Sequence, residues 1–123
     1  MRSSVLDSYA VLAYLFRERG HEAVVALLEK AAESGRNAFI AAPNWAEVRY
    51  QVQRKTTSAK WDETHDRLLA LPIEVVAATQ EIAEVAGAIK ADRKMSLADC
   101  FAVALAKAHK AELYTGDPEF KAV

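Results

Sequence analysis

Apolar residues fall along this chain in two rhythms. Short apolar or β-branched runs stand at Ser4–Leu6, Ala38–Ala41, Ile73–Val76 and 112–115. Between them lie longer stretches in which apolar positions recur every three or four residues. The short runs predict strands and the longer stretches predict helices. Val11, Leu12, Leu15 and Phe16 predict a first helix over about 8–19, ended by Gly20. Val24, Leu27, Leu28 and Ala31 predict a second helix, closed near Gly35. Pro43 suits the first turn of a third helix, with Trp45, Val48 and Val52 on one face. Ser58 is read as the cap of a fourth, with Trp61, Leu68 and Leu69 apolar. Thr79 caps a fifth, with Ile82, Val85, Ala86 and Ile89 facing inward. Ser96 caps a sixth, with Leu97, Phe101, Ala104, Leu105 and Ala108 inward.

Short apolar strands separated by helices imply an α/β fold with a mostly parallel sheet covered on both faces. Such a sheet offers its functional loops at the carboxyl ends of its strands. That directs attention to Asp7 and Asp117, each just past an expected strand.

Length and composition narrow the class. A chain of 123 residues suits one domain, 1–123, and with 52% hydrophobic residues it can bury a real core. No apolar run approaches the roughly 20 residues of a membrane helix, and the first residues lack a signal peptide's apolar stretch. The expectation is a soluble, cytoplasmic protein with no membrane partner. Cys100 is the one cysteine, so no internal disulfide forms, and its apolar neighbours predict a buried thiol. The net charge of -1 gives no bulk attraction for a polyanion, so nucleic-acid binding would need local basic patches.

Four acids stand at suggestive places. Asp7 follows the first strand, Glu47 lies early in the helix after the second, Asp99 opens the helix before the fourth, and Asp117 follows the fourth. In a parallel sheet all four can converge on one edge. Two carboxylates about 4 Å apart repel by roughly 4 kcal/mol at an effective dielectric near 20. Such a cluster persists only if it takes up protons or a cation neutralises it. Oxygen donors without His or Cys suit Mg²⁺ or Mn²⁺ better than Zn²⁺. An ion there can activate water for phosphodiester hydrolysis. Each acid also admits a plain reading. With 17 acids in the chain, single matches are weak. Asp7 and Asp117 can cap helices, Ser96 to Asp99 fits a capping box, and Glu47 can sit on a solvated helix surface.

The segments Val5-Leu6-Asp7-Ser8, Ala42-Pro43-Asn44-Trp45-Ala46-Glu47-Val48, Leu97-Ala98-Asp99-Cys100-Phe101-Ala102 and Leu113-Tyr114-Thr115-Gly116-Asp117-Pro118 resemble, in order and spacing, the motifs of PIN domains of the VapC toxin type. The resemblance spans nearly the whole chain. It implies a three-layer α/β/α sandwich around a mostly parallel sheet of four or five strands. It implies a toxin of a toxin–antitoxin pair that acts as an Mg²⁺- or Mn²⁺-dependent endoribonuclease, with RNA as substrate, a cognate antitoxin as partner and a homodimer as assembly. Carried over by position, Asp7, Glu47, Asp99 and Asp117 form the acidic site. Asp7 and Asp99 are then direct metal ligands, while Glu47 and Asp117 bind through water or orient the attacking water. Ser8 and Thr115 are supporting hydroxyls, Ser8 being equally readable as a helix cap. Relatives of this type commonly add a further strand after the last motif, for which Val123 leaves little room.

Other chemistries find no support. His21, His65 and His109 lack metal-ligand spacing, and His109 is read as complementing a helix dipole. There is no nucleophile elbow and no phosphate-cradling glycine loop. Arg49, Arg54, Lys55 and Lys60, and again Arg93 and Lys94, form basic stretches that either touch RNA phosphates or are solvated faces. Tyr9, Trp45, Tyr50 and Trp61 can stack on bases or dock a partner helix, with core or interface packing favoured for the two tryptophans. Two alternatives stay open: a non-catalytic binding module on the same fold, and a structure-specific DNA nuclease.

Overall fold

The computed structural model describes residues 3–115. Four strands, β1 (Ser4–Leu6), β2 (Ala38–Ala41), β3 (Ile73–Val76) and β4 (Glu112–Tyr114), form one sheet in the order β3-β2-β1-β4. Every neighbouring pair is parallel, with Leu6 opposite both Ile40 and Tyr114. Six helices connect and cover the strands: α1 (Ser8–Phe16), α2 (His21–Ser34), α3 (Ala42–Lys55), α4 (Ser58–Leu69), α5 (Gln80–Asp92) and α6 (Leu97–His109).

The pleat sorts the core into two layers. Leu6, Ala38, Ile40 and Ile73 point to one face and pack with Val11, Val24, Leu28, Val48, Val52, Trp61 and Leu68 of α1 to α4. Their sequence neighbours Val5, Phe39, Ala41 and Leu113 point to the other face, toward Leu105 and Ala106 of α6 and Ile82 of α5. Ala86, Met95, Cys100, Val103 and Ala104 join α5 to α6 beyond it. A parallel sheet buried on both faces needs such continuous apolar strands. The three-layer α/β/α expectation is met, with four strands among the described residues. No helix among them is long and apolar enough to cross a membrane.

Several boundaries differ from the periodicity. The first helix stops at Phe16, because Arg17 takes a left-handed conformation (φ 54) and its N–H closes on the Ala13 carbonyl. Gly20, expected to end that helix, instead opens α2 with φ 94. The fourth helix is capped by Thr57, whose hydroxyl accepts from the Lys60 N–H, and Ser58 is its first residue. Leu69, Val85 and Leu97 are exposed (46%, 44% and 53%), and so is Ala108, so a single apolar face overstated what each helix buries. Thr79 and Ser96 cap α5 and α6 as expected.

Candidate active site

Three of the four acids stand on elements that start or end at the carboxyl edge of the sheet, and two of them, Glu47 and Asp99, share a cavity there. Asp7 is the residue after β1, and its N–H still bonds the Tyr114 carbonyl at 3.3 Å, extending the ladder by one step. Its side chain is fully buried and caps α1, Oδ1 accepting from the Ala10 N–H at 2.8 Å. The capping reading of Asp7 is therefore correct, and it coexists with complete removal of the carboxylate from solvent. Burying an ionised carboxylate is costly unless partners or a cation offset it.

Glu47 enters from α3, which begins directly at the end of β2 with Pro43 in its first turn. The Ser8 hydroxyl, from the first residue of α1, donates to Glu47 Oε1. The Tyr50 hydroxyl, one turn further along α3, lies 3.3 Å from Oε2. Ser8 therefore does not cap α1, a role held by Asp7; it supports the acid. Asp99 lies in the first turn of α6, where its N–H donates to the Ser96 hydroxyl at 3.2 Å, and its residue is 6% exposed. An acid in the first turn also gains from the helix dipole.

Ser8, Tyr9, Leu12, Glu47, Gln51, Ser96 and Asp99 line a cavity of about 250 Å³. Neither lysine nor arginine is among these residues. Asp7, the residue before Ser8, is fully buried and is not among the residues that line this cavity. Thr115 follows β4 beside Asp7, since Leu6 and Tyr114 are in register, but it lines a separate small cavity with Ala10, Ala13 and Val24. Asp117 lies outside the described residues. A further cavity of about 210 Å³ sits at the opposite edge, among Ser3, Ser4, Lys30, Arg36, Ala38 and Glu112, and Asp7, Glu47 and Asp99 are not among the described residues that line it.

One buried residue was not singled out in the sequence. Asn44, in the first turn of α3, is fully buried, and neither its side-chain oxygen nor its nitrogen has a hydrogen-bond partner among the described residues. It lies on the same stripe as Val48 and Val52, at i, i+4 and i+8, a spacing that marks it as inward-facing.

The basic and aromatic candidates divide. Trp61 is buried and meets Trp45 edge-on at 5.6 Å between ring centroids, as packing required. Arg49 lies over Trp61, Arg54 over Tyr50 and Lys55 over Phe16, at 5.9, 5.0 and 4.7 Å from the ring centres. Lys60 pairs with Glu63 on the surface. His109 ends α6 and stacks on Phe39. Cys100 is buried.

The PIN domain family model matches residues 4–123. The chain belongs to the PIN domain family. No curated protein matches it. Among solved structures, the PIN chain resembles a toxin–antitoxin complex from Klebsiella pneumoniae, at 24% identity and a TM-score of 0.72, covering 98% of this chain and 92% of that one. It also resembles VapC20 of Mycobacterium tuberculosis, a toxin described as cleaving the sarcin-ricin loop (17% identity, TM-score 0.77, 98% and 94% covered). DNA-bound VapBC from Salmonella typhimurium is similar too (14% identity, TM-score 0.78, 98% and 92% covered). At these identities the likeness carries the PIN fold, with near-complete coverage on both sides.

Proposed function

We propose that this PIN protein is the toxin of a toxin–antitoxin pair and an endoribonuclease that needs Mg²⁺ or Mn²⁺. The observation that carries the reading is the meeting of Glu47 and Asp99 in one cavity, lined also by Ser8, whose preceding residue Asp7 is fully buried at the end of β1. The donors fit a hard divalent cation in kind: they are carboxylates and hydroxyls, in a cavity that no lysine or arginine among the described residues lines. Among the described residues no three His, Cys, Asp or Glu side chains form a ready cation site. Asp117 is the further carboxylate that the assignment calls on.

Asp7 and Asp99 would hold the ion directly, and Glu47 and Asp117 would act through water or orient the attacking water. When bound, such an ion supplies a Lewis acid and lowers the pKa of a coordinated water. Ser8 fixes Glu47 by a hydrogen bond from a different helix, so the carboxylate is placed before substrate arrives. Thr115 would steady the Asp7 side of the site. The exposed rings of Tyr9 and Tyr50 (41% and 42%) flank the acids and suit stacking on unpaired bases.

The neighbours described as toxin–antitoxin or VapBC complexes support an antitoxin partner; a homodimeric toxin in the cytoplasm is part of the same proposal. Exposed Leu97, beside the Ser96 rim of the cavity, and Tyr9 on the cavity wall offer apolar contacts near the acids.

The test is cleavage of a mixed RNA pool with Mg²⁺ or Mn²⁺, by wild type, Asp7→Asn and Asp99→Asn. Cleavage by the wild type alone, abolished by EDTA, is expected. Equal cleavage by all three, or cleavage that survives EDTA, overturns the assigned site. Stable partner binding without cleavage of RNA would favour a binding module, and cleavage of flap DNA alone would favour a DNA nuclease.

A further inference from the structure

The geometry points to Tyr50 as the residue that positions Glu47 from the solvent side. This deepens the nuclease reading and names a group that reading does not require.

Glu47 has one hydroxyl on each oxygen. Ser8 donates to Oε1 from α1, and Tyr50 lies 3.3 Å from Oε2 on the same helix. An ionised carboxylate has about four acceptor sites. With one taken on each oxygen, the group is fixed in orientation while acceptor sites remain for whatever enters the cavity. The two hydroxyls are complementary in origin. Ser8 is buried and ties α3 to α1, whereas Tyr50 is 42% exposed and lies one turn from Glu47, the i, i+3 spacing that brings helix side chains together.

Tyr50 is itself held. The Arg54 guanidinium lies over its ring, 5.0 Å from the centre, at the i+4 position. At an exposed site such a contact is modest in strength and favours the ring orientation that brings the phenol to Glu47. The chain Arg54, Tyr50, Glu47, Ser8 thus runs from the surface of α3 to the buried start of α1. A ring this exposed contributes little to the core, so its hydroxyl and its open face are what remain to explain it.

The hydroxyl and the ring face make different predictions. Tyr50→Phe removes only the hydroxyl and keeps the ring, its stacking surface and the Arg54 contact. Tyr50→Ala removes both. We expect Tyr50→Phe to lower kcat for RNA cleavage by about tenfold and to weaken Mn²⁺ binding, read by titration calorimetry, by a similar factor. KM for RNA and the melting temperature should stay at wild-type values. The carboxyl carbon resonance of Glu47, assigned with Glu47→Gln in protein labelled with ¹³C-glutamate, should move in Tyr50→Phe. An unmoved resonance overturns the proposal whether or not the protein cuts RNA. So does wild-type kcat in Tyr50→Phe combined with a raised KM in Tyr50→Ala, which would make the ring a stacking surface only. Failure of the wild type to cut any RNA would strike the nuclease reading separately, leaving the resonance to decide the role of Tyr50.

Discussion

Ser8 and Glu47, 39 residues apart in the chain, are joined by a hydrogen bond from the serine hydroxyl to the glutamate carboxylate. The bond spans the start of α1 and the second turn of α3, and so ties together the helices that leave two adjacent strands. Ser8→Ala should therefore separate fold from function. A hydrogen bond of this kind contributes roughly 1 kcal/mol net, or about 2 when one partner is charged, so the protein should still fold. Cleavage should fall by roughly tenfold because Glu47 loses the bond from α1. Ser8→Thr, which keeps the hydroxyl, should restore most of the rate. Thermal melts together with initial cleavage rates check this; an active Ser8→Ala protein would remove Ser8 from the site.

Asp7 carries two duties that substitutions can divide. Asn keeps an oxygen that can accept from the Ala10 N–H, so Asp7→Asn should retain the cap while losing the charge. Without metal it should still unfold cooperatively, since the cap of α1 is kept. It should show neither cleavage nor Mn²⁺ binding. Asp7→Ala loses the cap as well and should be less stable than Asp7→Asn by about 1 kcal/mol. Denaturant unfolding of both variants, with and without Mn²⁺, checks the ordering; stabilisation of Asp7→Asn by Mn²⁺ equal to that of wild type would exclude Asp7 as a ligand.

Much of this arrangement was legible in the sequence because it follows from where strands end. β1, β2 and β4 stop next to Asp7, next to the helix of Glu47 and next to Thr115, and a parallel sheet brings such ends to one edge. Strand order was not legible, since it depends on packing between layers far apart in the chain. Helix faces were legible only in part. Leu97, beside the Ser96 cap, and Val85, on an α5 whose single fully buried residue is Ala86, remain exposed because apolar identity does not say whether a neighbour exists. Asn44 was missed although its spacing to Val48 and Val52 placed it inward, because a polar residue does not register in an apolar pattern. Tyr50 was noticed as a ring; its hydroxyl, three residues from Glu47, was the more informative part.

Tyr114 gives a pH dependence with a definite sign. Its pKa is raised, first by burial and then by the charge and hydrogen-bond acceptance of Glu112, whose Oε2 lies 3.5 Å from the phenol oxygen. The folded state therefore holds the proton at pH values where the unfolded phenol, near 10, has lost it. Stability from this group is fully present below pH about 10 and is lost as pH rises toward the folded value. Glu112→Gln should narrow that window, and Tyr114→Phe should abolish it. Denaturant midpoints across the alkaline range, together with phenolate absorbance, check it; a Tyr114 that ionises with exposed tyrosines would refute it.

Asn44 offers the sharpest separation of stability from site. Two buried polar atoms without a protein partner cost on the order of 1–3 kcal/mol each. Leucine repeats the branching of asparagine with apolar atoms but is bulkier, and valine is closer in size; both suit the apolar stripe of Val48 and Val52, so Asn44→Val and Asn44→Leu together separate loss of the amide from overpacking. If the amide has no partner in solution either, the variants should gain stability, raising the melting temperature by several degrees for a protein of this size. A bound water satisfying both atoms would reverse the sign, since the variants would expel it without replacing its bonds. Differential scanning calorimetry of wild type, Asn44→Val and Asn44→Leu decides between the two: a melting temperature below that of the wild type in both variants would show that the amide is partnered, whereas a fall in Asn44→Leu alone would report overpacking.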